Sequence, residues 1–199
     1  MSVHVKGLVL RARIDYIENH LGVDTLERIL EEVSPEARAA LSKEIMVSSW
    51  YPLSVLVEMA AALERLHGRG AAHDLFRGMG RNAAWMALQG VHQSFAKEND
   101  PAFVLKMAPL LWGQYYDSGR VEVESTGRNS AVLRIFEFEE PHRAVCLGIV
   151  GWIEAAIEVW GALLSYVEET ACRVRGGPCC EIRVRWVEEP VAVPRGGSP

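Results

Sequence analysis

The stretch from Cys146 to Trp186, CLGIVGWIEAAIEVWGALLSYVEETACRVRGGPCCEIRVRW, joins an apolar run to two alternating segments around a Gly-Gly-Pro turn. With Ala144 and Val145 ahead of it, the run is long enough for a membrane span. Glu154 and Glu158, however, fall four apart on one helical face, where lipid would penalise them. The run therefore predicts a buried helix with one wet stripe, opened by Pro141 and reaching about Gly161. LLSYVEET and CEIRVRW predict two strands behind it. Strand parity separates the adjacent cysteines. Cys180 shares a face with Ile182, Val184 and Trp186, and Cys179 shares one with Glu181, Arg183 and Arg185, so Cys180 is predicted to point inward and Cys179 outward.

Working back from that segment, RVEVEST and SAVLRIFEFE alternate apolar and polar residues across a turn at TGRN, the pattern of a half-buried hairpin. The first 113 residues read as mostly helical. Asp24 with Glu27 resembles a capping box before TLERILEEV, and Ser34-Pro35 and Asp100-Pro101 each place a capping side chain ahead of a proline suited to the first helical position. PLSVLVEMAAALERLHGRG carries helical apolar spacing from Leu53 to Leu66, and HDLFRGMGRNAAWMALQGVHQSFAKEN predicts one or two further helices. The order helices, hairpin, helix, hairpin predicts an α+β fold: an N-terminal helical half packed on an antiparallel sheet made of two hairpins, with a long helix between them. Residues 1–187 are expected to form one ligand-binding-type domain, with a helical part at 5–113 and a sheet part at 119–187. The end, residues 188–199, is rich in proline and glycine and is expected to be a flexible tail.

Composition sets the outer limits. The 199 residues are 49% hydrophobic and 24% charged, ordinary globular values, and a chain of this length needs no cysteine staple to fold. A net charge of -5 leaves no overall positive field for nucleic acid. The N-terminal apolar run GLVL is too short for a signal peptide, so a cytoplasmic chain without a membrane span is expected.

Motifs for chemistry are few. RGMGRN, residues 77–82, neither follows a predicted strand nor completes a phosphate loop, and reads as a helix turn. The histidines at 4, 20, 67, 73, 92 and 142 form no ligand-spaced pair on one helical face, and no nucleophile elbow is present. Trp112 and Tyr115 are three apart and can face one cavity, although aromatics in such a place more often serve core packing or a dimer contact. A disulfide between Cys179 and Cys180 would be strained. Cys146, Cys172 and Cys180 could meet a carboxylate from Glu168 or Glu169 around a closed tetrahedral metal, or could be buried thiols without a ligand.

A resemblance adds to these readings. The quoted segment resembles the 4-vinyl reductase domain: a cysteine-bearing, glycine-containing helix, a strand, Glu-Thr-x-Cys, a glycine turn, and a cysteine before the last strand. That domain also forms part of the phenol-sensing modules of XylR-type bacterial transcription activators, which hold a structural zinc with three cysteines and one glutamate. The resemblance implies Cys146, Glu169, Cys172 and Cys180 as metal ligands, with Glu168 and Cys179 as bystanders. Glu169 and Cys172 have opposite strand parity, so the chain must bulge or leave the strand between them.

Residues 5–187 are also similar in layout to the superfamily containing the haem nitric oxide/oxygen binding domain and the Golgi-trafficking TRAPP subunits. VKGLVLRARIDYIENHLGVDTLERILEEV resembles the start of those haem domains and of myxobacterial paralogous proteins of unknown function. PAFVLKMAPLLWGQYY holds no proximal histidine and the Tyr-x-Ser-x-Arg motif is missing near IFEFEEP, which disfavours haem and leaves structural zinc as the expected cofactor. The resemblance implies a non-enzymatic bacterial sensor or regulatory domain that binds an apolar or aromatic small molecule, acting as a homodimer or on a signalling partner. Met107, Leu111, Trp112, Tyr115, Phe136 and Trp152 are the expected pocket residues. The alternatives are a protein-interaction or dimerisation module with a lipid-filled or vestigial pocket and, ranked last, a tetrapyrrole vinyl-reductase accessory factor.

Overall fold

The computed structural model describes residues 2–89, 100–160 and 162–188. Helices α1 (Gly7–His20), α2 (Val23–Glu32), α3 (Pro35–Leu41), α4 (Leu53–His67), α5 (Arg69–Gln89) and α6 (Pro101–Tyr115) form the N-terminal half. A small antiparallel pair, β1 (His4–Lys6) and β2 (Trp50–Pro52), lies within it and has no counterpart in the sequence reading. Strands of three residues are too short to show alternation. The second half is β3 (Arg120–Gly127), β4 (Ser130–Phe136), α7 (Arg143–Val159), β5 (Ala162–Ala171) and β6 (Cys180–Glu188). The four strands form one antiparallel sheet in the order β3-β4-β6-β5, so the two hairpins are joined through β4 and β6. This is the α+β arrangement expected from the pattern of elements. The end at 189–199 and the segment at 90–99, with His92, lie outside the described residues.

Helix starts follow their caps. Ser34 accepts the Ala37 N–H at 3.2 Å, and Asp100 accepts those of Ala102 and Phe103 at 2.9 and 3.2 Å, each ahead of a proline. Asp24 is not a cap: α2 starts one residue earlier, after Gly22 at φ 87°, and Asp24 lies in its first turn. Glycine takes that φ without a Cβ penalty and so sets the start. The cap of α7 is His142, whose Nδ1 accepts the Ala144 N–H at 3.2 Å, one residue beyond the proline expected to open the helix.

Helix α7 lies between the sheet and α5. Val150, Ile153 and Ile157 pack on Ile182, Val184 and Trp186 of β6, while Ala155, Ala156 and Trp160 meet Ala84 and Leu88 of α5. The stretch RGMGRN is no turn; it runs inside α5. A Cβ at Gly80 would stand 1.9 Å from the Gly148 carbonyl oxygen, and one at Gly151 would stand 1.9 Å from that of Arg77. These glycines let the two backbones touch. Glu154, predicted to lie on a wet stripe, is 4% exposed and sits under Arg77 and Arg81 of α5, with Arg77 Nε 2.9 Å from its Oε2. Glu158 takes Arg81 at 2.6 Å. Among the described residues no helix is long and apolar enough to cross a membrane.

Candidate functional site

Two places in this architecture gather chemistry. The first is a cavity of about 100 Å³ between the helical half and the sheet. Leu111, Trp112 and Tyr115 of α6 form one wall, Gly148, Ile149 and Trp152 of α7 another, and Leu133, Ile135 and Ile182 the sheet floor. Four of the six predicted pocket residues, Leu111, Trp112, Tyr115 and Trp152, therefore do line it. Met107 and Phe136 do not. Parity explains Phe136: Leu133 and Ile135 point to the cavity, while Phe136 lies on the opposite face with the Arg120 guanidinium 4.6 Å over its ring. Met107 is half-buried on α6 and is not a lining residue, although it lies between the lining residues Leu105 and Ala108.

Trp112 is fixed at the cavity's end. Its indole N–H donates to the Ser118 carbonyl at 2.9 Å, and its ring packs against Tyr116 and Phe138 with centroids 4.5 and 5.4 Å away. Burial raises the pKa of Tyr115, and of Tyr116, so both phenols stay neutral. The sequence reading missed Arg13, which lines the same cavity and is 4% exposed. Its Nη1 donates to the Val9 carbonyl at 3.3 Å; burial lowers its pKa, opposed by the Tyr116 phenol beside it. Helical spacing held the signal: Arg13 stands four residues from both Val9 and Ile17, on the apolar face of α1, whereas Arg11 and Asp15 pair on the other face.

The second place is the junction of α7 with the β5-β6 hairpin. The Sγ atoms of Cys146, Cys172 and Cys180 lie within 4.8 Å of one another, the Cys146–Cys172 separation being 3.8 Å, and all three are buried. The register shifts between Glu169 and Ala171, the bulge that parity requires, and Cys172 follows the strand end. Cys180 faces inward as predicted. Cys179, on the opposite face beside Glu181 and Arg134, is covered as well, at 6% exposure, and is outside the trio. Glu169 is not drawn into the thiols. Its carboxylate is held by Arg143 Nη1 at 2.8 and 2.6 Å and by Arg175 Nη2 at 2.9 Å, and the same Arg143 nitrogen is 3.4 Å from Cys172 Sγ. The Cys180 thiol is lowered to about 6, chiefly by the Cys146 thiol beside it and also by the Arg173 N–H, while Cys146 is raised.

No protein-family model and no curated protein matches this sequence. Solved structures do. An H-NOX protein from S. oneidensis in the Fe(II)NO ligation state is 14% identical, with 91% of this chain and 98% of that one covered and a TM-score of 0.72. An oxygen-binding H-NOX domain related to soluble guanylate cyclases, in its oxygen complex, is 16% identical over 96% of this chain and all of its own, with a TM-score of 0.68. A third, from work on modulating haem redox potential through porphyrin distortion, is 15% identical over 90% and 99%, with a TM-score of 0.67. The chain has the H-NOX fold.

The expected cofactor, structural zinc to the exclusion of haem, is corrected by these structures. The fold is one whose solved members hold iron and porphyrin, and it points to haem. Haem can be set against the residues present. The cavity wall is apolar, as porphyrin faces require. Among the described residues it carries no imidazole, thiol or thioether; its oxygen donors are the phenols of Tyr115 and Tyr116, a ligand type that some haem proteins use, and its cation is Arg13. An engineered cavity of about 150 Å³ admits benzene. The present space of about 100 Å³ is smaller, so a macrocycle enters only as the walls part.

Proposed function

We propose that the chain is a non-enzymatic sensor or regulatory domain whose small-molecule ligand, apolar or aromatic in body, occupies the cavity between the helical half and the sheet. The observation that carries this reading is the cavity itself: an almost wholly apolar space walled by Trp112, Tyr115 and Trp152, with one buried cation at its edge. Pockets of this composition, with a few convergent polar groups, are the usual form of a small-molecule site. Helix α6 is the wall best placed to yield, because Pro109 within it removes a helix hydrogen bond. Ligand uptake that shifts α6 against α7 changes the population of two arrangements, which is what a sensor must do.

Haem belongs to this ligand class. In that case Tyr115 or Tyr116 would face the iron and Arg13 a propionate, and the bound group would supply a reversible site for a diatomic gas. Hemin titration followed by absorbance, beside tryptophan fluorescence with small aromatic probes such as indole and phenylacetate, tests the reading. One equivalent of either kind of ligand is the expected result, and saturation by neither overturns it.

The same reading assigns the thiol trio a holding role. Cys146, Cys172 and Cys180, with Glu169 released by Arg143 and Arg175, bind a thiophilic metal that ties the β5-β6 hairpin to α7. The spacing resembling the 4-vinyl reductase domain and the 4.8 Å gathering of the sulfurs support this.

A further inference from the structure

The buried charges of this protein are not treated alike. Glu154 is buried and is met by two arginines, Arg77 and Arg81. Arg13 is equally buried, and no carboxylate among the described residues pairs with it. A guanidinium carries five N–H donors. The acceptor the structure gives Arg13 is neutral, the Val9 carbonyl one turn back on its own helix, and the group beside it is the Tyr116 phenol. A cation out of water without an opposite charge is strongly disfavoured, and folded proteins pair such groups. The unpaired guanidinium also borders the cavity, where everything else but the two phenols is apolar. Room for its fork is kept by Gly148, since a Cβ there would stand 2.9 Å from Nη2.

We propose that Arg13 is the anion-recognition residue of this cavity, and that the ligand is a carboxylate carried on an apolar, aromatic body. The inference rests on the reading of the cavity as a ligand site and names what that site selects. Arg13 supplies the fork that pairs with a carboxylate. The Tyr116 phenol lines the cavity with it and carries a hydroxyl proton to donate to the same anion. The apolar walls take the ring. The carboxylate can come from a free aromatic acid or from a haem propionate, and the chemistry at Arg13 is the same for both.

The test uses the full chain, wild type and Arg13→Met, with phenylacetate, its neutral isostere phenylacetamide, and hemin. Binding is followed by the fluorescence of Trp112 and Trp152 and by hemin absorbance. Wild-type protein is expected to prefer the acid over the amide by about 10- to 100-fold, the range of a charge-assisted hydrogen bond. Arg13→Met should erase that preference while still binding the amide. Uptake of phenylacetate alone identifies a free acid, and hemin uptake lost in Arg13→Met identifies the propionate; either supports the proposal. Because the variant removes an unpaired buried charge, ligand-free Arg13→Met should melt no lower than wild type, a result that a merely structural role for Arg13 would not give. Equal affinity for acid and amide overturns the proposal and leaves the cavity reading standing. Binding of none of the three overturns both.

Discussion

At the scale of single residues, His142 shows how one ring nitrogen ties a helix start to pH. Its Nδ1 accepts the Ala144 N–H, which only an unprotonated nitrogen can do. Burial lowers its pKa from 6.5, opposed in part by the Glu64 carboxylate. A lowered folded-state value means the unfolded chain binds the proton more readily, so this contribution is complete above pH 6.5 and is lost as pH falls through the lowered value. His142→Asn keeps a capping acceptor that does not titrate. Wild type should therefore lose about 1 kcal/mol more than the variant between pH 7.5 and the acid side of this window, some 2–4 °C in thermal melts. Parallel melting curves for the two proteins would remove His142 from the account.

The cysteines show what residue-scale reading can reach. Alternation along β6 separates Cys180 from Cys179 because side chains on a strand point to opposite faces. It places Cys180 with the buried Ile182, Val184 and Trp186, where the structure has it. Alternation says nothing of what covers the other face, and Cys179 is buried there too. That Arg143 engages the Glu169 carboxylate itself depends on the two arriving from α7 and β5, whereas Arg175, which also holds it, is only six residues along the chain.

At the scale of elements, the crossing of α5 on α7 is set by Gly80, which a linear reading takes for a turn, and by Gly151 of α7. Gly151→Ala would press a Cβ onto the Arg77 carbonyl, a backbone atom that cannot swing away. The cost should be about 3 kcal/mol or more, in the upper range for overpacking, read as a fall in the midpoint of urea unfolding. Gly113 on α6 offers the contrast: nothing lies within 4 Å of a Cβ there and its backbone is helical. Gly113→Ala should raise stability by up to about 1 kcal/mol. Equal effects of the two substitutions would mean that the glycines act through helix propensity alone and not through the crossing.

At the scale of the whole molecule, the hairpin β5-β6 closes on α7 at the three thiols. If a metal holds them, its binding free energy is folding free energy. Metal analysis of the purified chain should find one equivalent in wild type and none in Cys172→Ala. A chelator should lower the melting temperature of wild type and leave the variant unchanged. Wild type without metal, melting alike with and without chelator, would leave the trio as packed thiols.

What the sequence determined by itself was the local order: the α+β succession, two of the helix caps, the hairpins, the inward face of β6 and the aromatic wall on α6. Each depends on periodicity or on neighbours within a few residues, and those act before the chain is folded. The tertiary structure decided what needs two distant segments at once. It turned RGMGRN from a turn into a helix crossing, buried Glu154 under α5, and set Phe136 away from the cavity that Ile135 enters. It also enclosed Arg13, the one cation that helical spacing puts on the apolar face of α1, at the edge of a cavity, because burial is a property of what packs on a side chain and not of its place in the chain.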